Sequence, residues 1–188
     1  MRAIAQLLII AFVAPGFAQA DQAEDIAQVV KRHFERGTTH GSVLVAQKGK
    51  VIYEGAVGMA NYEWGIPNAP DTKHRLGSIT KQFTAVLILQ LMEQGKLKPE
   101  DTILDHLPDY REDTGGKITI HYLLTHTSGL PNYTANPAFF PEYSRDYFSV
   151  EAFIPKFCSG DLEFEPGEKL NYSNSGYFLL GAIIEAAT

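Results

Sequence analysis

The chain has 188 residues, the size of one ordinary domain, and its 45% hydrophobic and 20% charged content argues against a disordered protein. Sixteen Lys and Arg against 22 Asp and Glu give a net charge of −6 with no basic block, which argues against a nucleic-acid partner. The only cysteine, Cys158, has no partner for an internal disulfide and reads as a small buried residue rather than a nucleophile.

Met1 and Arg2 precede an apolar run at 3–13, a Pro15-Gly16 break and the small-x-small triplet Ala18-Gln19-Ala20. This pattern reads as an export signal over residues 1–20, and the run is short of the ~20 residues a membrane span needs. An uncleaved N-terminal anchor is the other reading. The expected mature chain, 21–188, is one domain in the periplasm or secreted, with no transmembrane segment.

Residues 21–36 place Ile26, Val29, Val30, His33 and Phe34 at helical spacing before Gly37. Residues 42–48 and 51–57 read as two strands turning at Gly49, a β-hairpin. Residues 61–73 are rich in turn formers and read as loop. From 78 to 94, Ile79, Phe83, Val86, Leu87, Leu89, Leu91 and Met92 cover nearly every helical face, which predicts a buried helix stopped by Gly95. Pro99, Pro108, Gly115, Gly116, Gly129 and Pro131 then punctuate a mainly helical region to residue 157, and 176–187 read as a last apolar helix.

The chemistry gathers at two short motifs. In Ser78-Ile79-Thr80-Lys81 the first and last residues share one helical face, setting a lysine beside a hydroxyl that needs a base to become a nucleophile. The helix start would also stabilise developing negative charge. Ser-x-x-Lys alone arises by chance, and Ser78 could be a plain N-cap; the buried helix favours chemistry, because Lys81 would otherwise be a solitary buried charge. In Tyr172-Ser173-Asn174, a phenol near a lysine can shuttle protons, and an amide can hold both a lysine and a substrate. Read alone, the same triplet is a helix cap with a surface tyrosine.

With their flanks, these motifs resemble the serine β-lactamase and penicillin-binding DD-peptidase superfamily, in its class C-like branch. The resemblance rests on three blocks in the family's order: 75–85 around Ser78, Leu-Leu-Thr-His-Thr-Ser-Gly-Leu-Pro at 123–131, and Phe-Glu-Pro-Gly-Glu at 164–168 leading into 172–177. It covers 41–186. It implies an α/β (α+β) fold, an antiparallel sheet with flanking helices plus a mainly helical region. It also implies that Ser78 is acylated while Lys81 and Tyr172 exchange protons and Asn174 binds substrate. The backbone N–H of Ser78 would be half of an oxyanion site, and no metal or cofactor is implied.

The resemblance also implies a third motif, His or Lys, then Thr or Ser, then Gly, on a strand after the tyrosine. None follows Tyr172, so the expectation is a partial domain whose C-terminal sheet strands are missing. One hairpin edge and one face of the Ser78 helix would then lack partners. His126-Thr127-Ser128-Gly129 precedes the tyrosine, carries an extra residue and reads as a structural turn. Glu168 reads as a surface or capping residue, and His106, His121 and His126 lack metal-site spacing.

The leading expectation is an exported serine hydrolase or peptidase acting on β-lactams, D-alanyl peptides of peptidoglycan type, or esters. The alternative is an inactive binding or scaffold protein, and a third is a chain complemented by a separate polypeptide carrying the missing strands. Residues 132–147, rich in Tyr, Phe and Pro, are a candidate rim of the site.

Overall fold

The computed structural model describes residues 15–188. Most of the expected export signal, residues 1–14, lies outside the described residues. The chain divides into two compact units, one ending at Arg75 and the other spanning Leu76–Thr188.

In the first unit, helix α1 (Pro15–Glu35) begins ahead of the expected start at 21, so the expected cleavage point after Ala20 lies within it. It ends on Gly37, whose φ of 69° lets its N–H reach Phe34 O while the Thr38 N–H reaches His33 O, a left-handed glycine cap. Strands β1 (Gly41–Gln47) and β2 (Lys50–Val57) pair antiparallel as expected, with α1 packed on β2. Lys48 and Gly49 both take positive φ at their turn, the geometry whose twist matches that of the flanking strands.

Residues 61–73 are not wholly loop: β3 (Met59–Asn61) and β4 (Ile66–Pro67) form a short antiparallel pair. The turn formers that suggested loop close this hairpin. Asn61 Oδ1 accepts the Trp64 N–H at 2.8 Å, and Gly65 takes a φ of 62°.

The second unit opens with a 3-10 turn, Gly77–Ile79, that runs into helix α2 (Thr80–Glu93). The region beyond is mainly helical, as expected. Its short helices α3 (Ile103–His106), α4 (Glu112–Gly115), α5 (Ile120–Leu124) and α6 (Val150–Phe153) precede the 14-residue α7 (Asn174–Ala187). Thr119 and Ser149 cap the first turns of α5 and α6 by accepting backbone N–H groups. Ile103, Ile120, Leu123 and Phe153 then enter one core with Leu179, Leu180 and Ile183 of α7. Truncating such a residue to Ala costs about 2–5 kcal/mol.

Helix α2 is less buried than its all-round apolar pattern predicts, and an apolar face of it lacks partners among the described residues, as the expectation of an unpartnered face has it. Only Ile88 and Leu91 are buried, on the stripe that also carries Lys81, Thr84 and Met92 and that packs toward α7. Ile79, Phe83, Val86, Leu87 and Leu89 are each about half exposed. An all-round apolar pattern reports what a helix could bury, not how many neighbours it has.

Candidate active site

Ser78 sits in the 3-10 turn, and residues three apart in such a turn eclipse one another, so Lys81 follows on the same side. The turn has no side-chain cap, which removes the N-cap reading of Ser78. Its Oγ instead lies 2.6 Å from Tyr172 Oη. Lys81 Nζ donates to Asn174 Oδ1 at 2.6 Å rather than to Ser78, and lies over the rings of Tyr172 and Tyr177 at 4.9 and 5.4 Å. Serine and lysine are thus joined through Tyr172 and Asn174.

The opposite wall is set by a helix start. Ser173 is the cap of α7, its Oγ accepting the Gly176 N–H. Tyr172 therefore falls just before the helix and Asn174 at its first position, both turned toward Lys81. All four residues singled out from the sequence, Ser78, Lys81, Tyr172 and Asn174, come together in the second unit.

Hydrogen bonding ties Asn174 to both the lysine and the phenol. Asn174 Oδ1 accepts from Lys81 and, at 3.3 Å, from Tyr172 Oη. Either oxygen can donate in the Ser78–Tyr172 contact; once Tyr172 is ionised the Ser78 hydroxyl is the donor, the arrangement a proton acceptor requires. Asn174 Nδ2 donates to Asn132 Oδ1 at 3.1 Å and to Thr134 Oγ1 at 2.9 Å, which engages both of its hydrogens. Asn132 Oδ1 also accepts the Asn174 N–H.

Burial opposes ionisation of Tyr172, but Lys81 and the Ser78 hydroxyl outweigh it and bring the phenol below its ordinary value of 10. Tyr177, which donates to Leu124 O, is shifted up, first by burial and then by Tyr172.

Three residues of this arrangement escape motif reading. Asn132 and Thr134 lie in the segment 132–147, where they hold Asn174 from inside. The third is His126, whose ring packs at a tilt of 33° and 32° against Tyr172 and Tyr177 with centroids 4.5 and 4.9 Å away. His126 lies inside the block 123–131, where it reads only as part of a structural turn, and Asn132 directly follows that block.

The turn 126–129 is structural as expected. Gly167 N–H donates to Thr127 O, Glu163 N–H to Gly129 O and Asn171 N–H to His126 O. Glu168 Oε2 accepts the Glu165 N–H and so caps a turn. Cys158 is 1% exposed, and burial pushes its thiol up to about 12. Among the described residues, no cluster of three or more His, Cys, Asp or Glu is arranged to hold a metal.

A cavity of about 460 Å³ opens beside Tyr172, lined by Asn132, Tyr133, Lys156, Phe157, Glu163 and Asn171 among others. A larger one, about 620 Å³, is lined by Leu107, Tyr110, Arg111, Ile154 and Ala182 among others and by none of the four candidate residues.

A family model described as Beta-lactamase matches residues 22–188. Protein flp of Staphylococcus aureus (strain N315) is 31% identical over 173 residues, which are 89% of this chain and 34% of that protein. Esterase EstB of Burkholderia gladioli is 33% identical over 167 residues, 82% of this chain and 42% of that protein. EstCE1, described as a hydrolase with promiscuous acyltransferase activity, matches in structure with a TM-score of 0.75 at 29% identity, covering 91% of this chain and 48% of that one. The chain spans less than half the length of each of these proteins.

Proposed function

Since the chain belongs to the Beta-lactamase family and carries part of the β-lactamase/DD-peptidase fold, we propose that it contributes the nucleophile half of an exported serine hydrolase of the class C-like branch. Its substrates are amides or esters, taken as β-lactam, D-alanyl peptide or simple ester. The observation that carries this reading is the Ser78–Tyr172 contact of 2.6 Å backed by the Lys81–Asn174 contact of 2.6 Å.

In this mechanism Tyr172 reacts as its phenolate: Ser78 Oγ bonds to the substrate carbonyl carbon, the carbonyl π pair moves onto its oxygen, and the Ser78 proton passes to Tyr172 Oη. The Lys81 charge beside the ring favours that phenolate. The C–N or C–O bond to the leaving group then breaks, and Tyr172 returns the proton to the departing nitrogen or oxygen. Water attacks the acyl carbon with Tyr172 taking its proton, and Ser78 Oγ leaves and recovers that proton. Asn174 holds Lys81, and contact with a substrate requires one of its amide hydrogens to leave Asn132 or Thr134. Because the chain covers 34% to 48% of these relatives, turnover, export and the second donor of the oxyanion site belong to the proposal too.

The test is covalent labelling with a fluorescent fluorophosphonate and a fluorescent penicillin, comparing the chain with Ser78→Ala. Labelling by either probe that disappears in the variant supports a working nucleophile. A folded chain that neither probe labels sinks the reading. Esterase EstB is an esterase by name, which makes p-nitrophenyl esters the first substrates for turnover.

A further inference from the structure

His126 touches the segment bearing Tyr172 at three points. Its backbone carbonyl accepts the Asn171 N–H at 2.8 Å, its Nδ1 accepts the Ser173 N–H at 3.2 Å, and its ring packs at a tilt against Tyr172 between them. The residues on both sides of the tyrosine are therefore bonded to one histidine. The histidine itself takes a φ of 58°, a left-handed conformation uncommon outside glycine, in which His, Asn and Asp are the enriched side chains. That conformation is what allows carbonyl and ring to face the same strand of chain.

The contact dictates the tautomer. A backbone N–H can only donate, so Nδ1 carries no proton and the ring hydrogen sits on Nε2. Protonating Nδ1 would set N–H against N–H and break the bond to Ser173. The titratable groups facing the ring are Lys81 from α2, Tyr172 from the segment before α7, and Tyr177 from α7. Burial first, and then the Lys81 charge, hold the imidazole below its ordinary value of 6.5, which keeps it neutral near pH 7.

We propose that His126 is a positioning residue that holds Tyr172 on Ser78 only while Nδ1 is unprotonated, so that acid switches the nucleophile pair off through the loss of the His126–Ser173 bond. The inference deepens the hydrolase reading and rests on it for the meaning of the switch. The clamp itself has a readout that needs no chemistry.

That readout is the Ser173 amide signal followed by NMR between pH 4.5 and 8, together with the fluorophosphonate labelling rate over the same range. In the wild type, the Ser173 amide shifts with the same midpoint as the His126 ring, below pH 6.5, and labelling falls through that midpoint. His126→Asn suits the left-handed backbone and keeps an acceptor at the δ position without a titrating ring. It is expected to fold, to label within about tenfold of the wild type at pH 7.5, and to lose the added fall at the His126 midpoint while keeping the gradual dependence on Tyr172 ionisation. His126→Ala keeps neither acceptor nor ring, and its labelling is expected to fall about 100-fold, the scale of a 1 Å misplacement.

An added fall at the His126 midpoint that persists in His126→Asn, or a Ser173 amide indifferent to His126 titration, would overturn the inference. A wild type that never labels while Ser173 still tracks His126 leaves the clamp standing and removes the hydrolase reading instead.

Discussion

Ser78 Oγ and Tyr172 Oη lie 2.6 Å apart although 94 positions separate them in the chain. The contact is made by two helix starts, the 3-10 turn ahead of α2 and the residue ahead of the α7 cap. Both residues have hydrogen-bonding groups with no role in either helix ladder. Ser78 is free because it caps nothing, and Tyr172 because Ser173 does the capping.

Tyr172→Phe tests that contact directly. The variant keeps the ring that packs against His126 and lies under Lys81, so the fold is expected to hold, with the melting temperature close to that of the wild type. The labelling rate is expected to fall about 10²–10⁴-fold, the usual size of a general-base contribution. The wild-type rate should also rise with pH as the phenol loses its proton, at a midpoint below the ordinary tyrosine value of 10 because Lys81 and Ser78 outweigh burial. Tyr172→Phe removes that rise. A wild-type rate that stays flat up to pH 10 counts against Tyr172 as the acceptor.

Asn132 matters for a different reason. Its single Oδ1 accepts from Asn174 N, Asn174 Nδ2, Thr134 N and Thr134 Oγ1. Asn132→Ala leaves these donors without that oxygen, and one buried unsatisfied group costs about 1–3 kcal/mol. Asn174 would then loosen its hold on Lys81, and labelling is expected to fall about 10–100-fold through misplacement alone. Asn132→Asp retains an acceptor oxygen and is expected to keep most of the stability. Thermal melts of the two variants, read beside their labelling rates, separate lost structure from lost positioning.

These cases show what the sequence could and could not convey. Ser78 and Lys81 are legible because one turn of chain joins them, and Tyr172 with Asn174 because one helix start does. Asn132 reaches Asn174 across 42 positions and His126 reaches Ser173 across 47. Neither residue has a spacing that announces the other. The hairpin of the first unit was legible from strand alternation around Gly49, whereas β3 and β4 were hidden by the turn residues that close them. The apolar pattern of α2 alone predicts burial on every face, whereas the expectation that one face of this helix lacks partners agrees with the half-exposed Phe83, Val86, Leu87 and Leu89; hydrophobicity along a helix carries no record of what stands opposite each face.

Cys158 provides a check on the interior. Its thiol is almost wholly enclosed and is pushed up to about 12 by burial, so at pH 8 almost none of it is thiolate. Ellman's reagent is expected to leave the folded protein unmodified over minutes and to titrate one thiol once denaturant is added. Prompt reaction in the native protein would mean that the packing around α7 is open, and the positions of Ser173 and Asn174 would lose their support.

Gly129→Ala tests the platform on which the Tyr172 segment rests. A Cβ at Gly129 would run into the Phe164 carbonyl oxygen, and the residue has a φ of 78°. Two costs add: about 1–2 kcal/mol for a left-handed alanine, and about 1–3 kcal/mol for forcing atoms into filled space. Gly95→Ala is the matched control. Gly95 has a similar φ of 73°, but nothing lies within 4 Å of its added Cβ, so only the backbone cost applies. Gly129→Ala is therefore expected to melt several degrees below Gly95→Ala, as 1 kcal/mol shifts a domain of this size by about 2–4 °C. It should also lose labelling, because the turn 126–129 carries the backbone bonds to Glu163, Gly167 and Asn171. Equal melting temperatures for the two variants would mean that the turn and Phe164 are not in contact, and would remove the support on which the placement of Tyr172 depends.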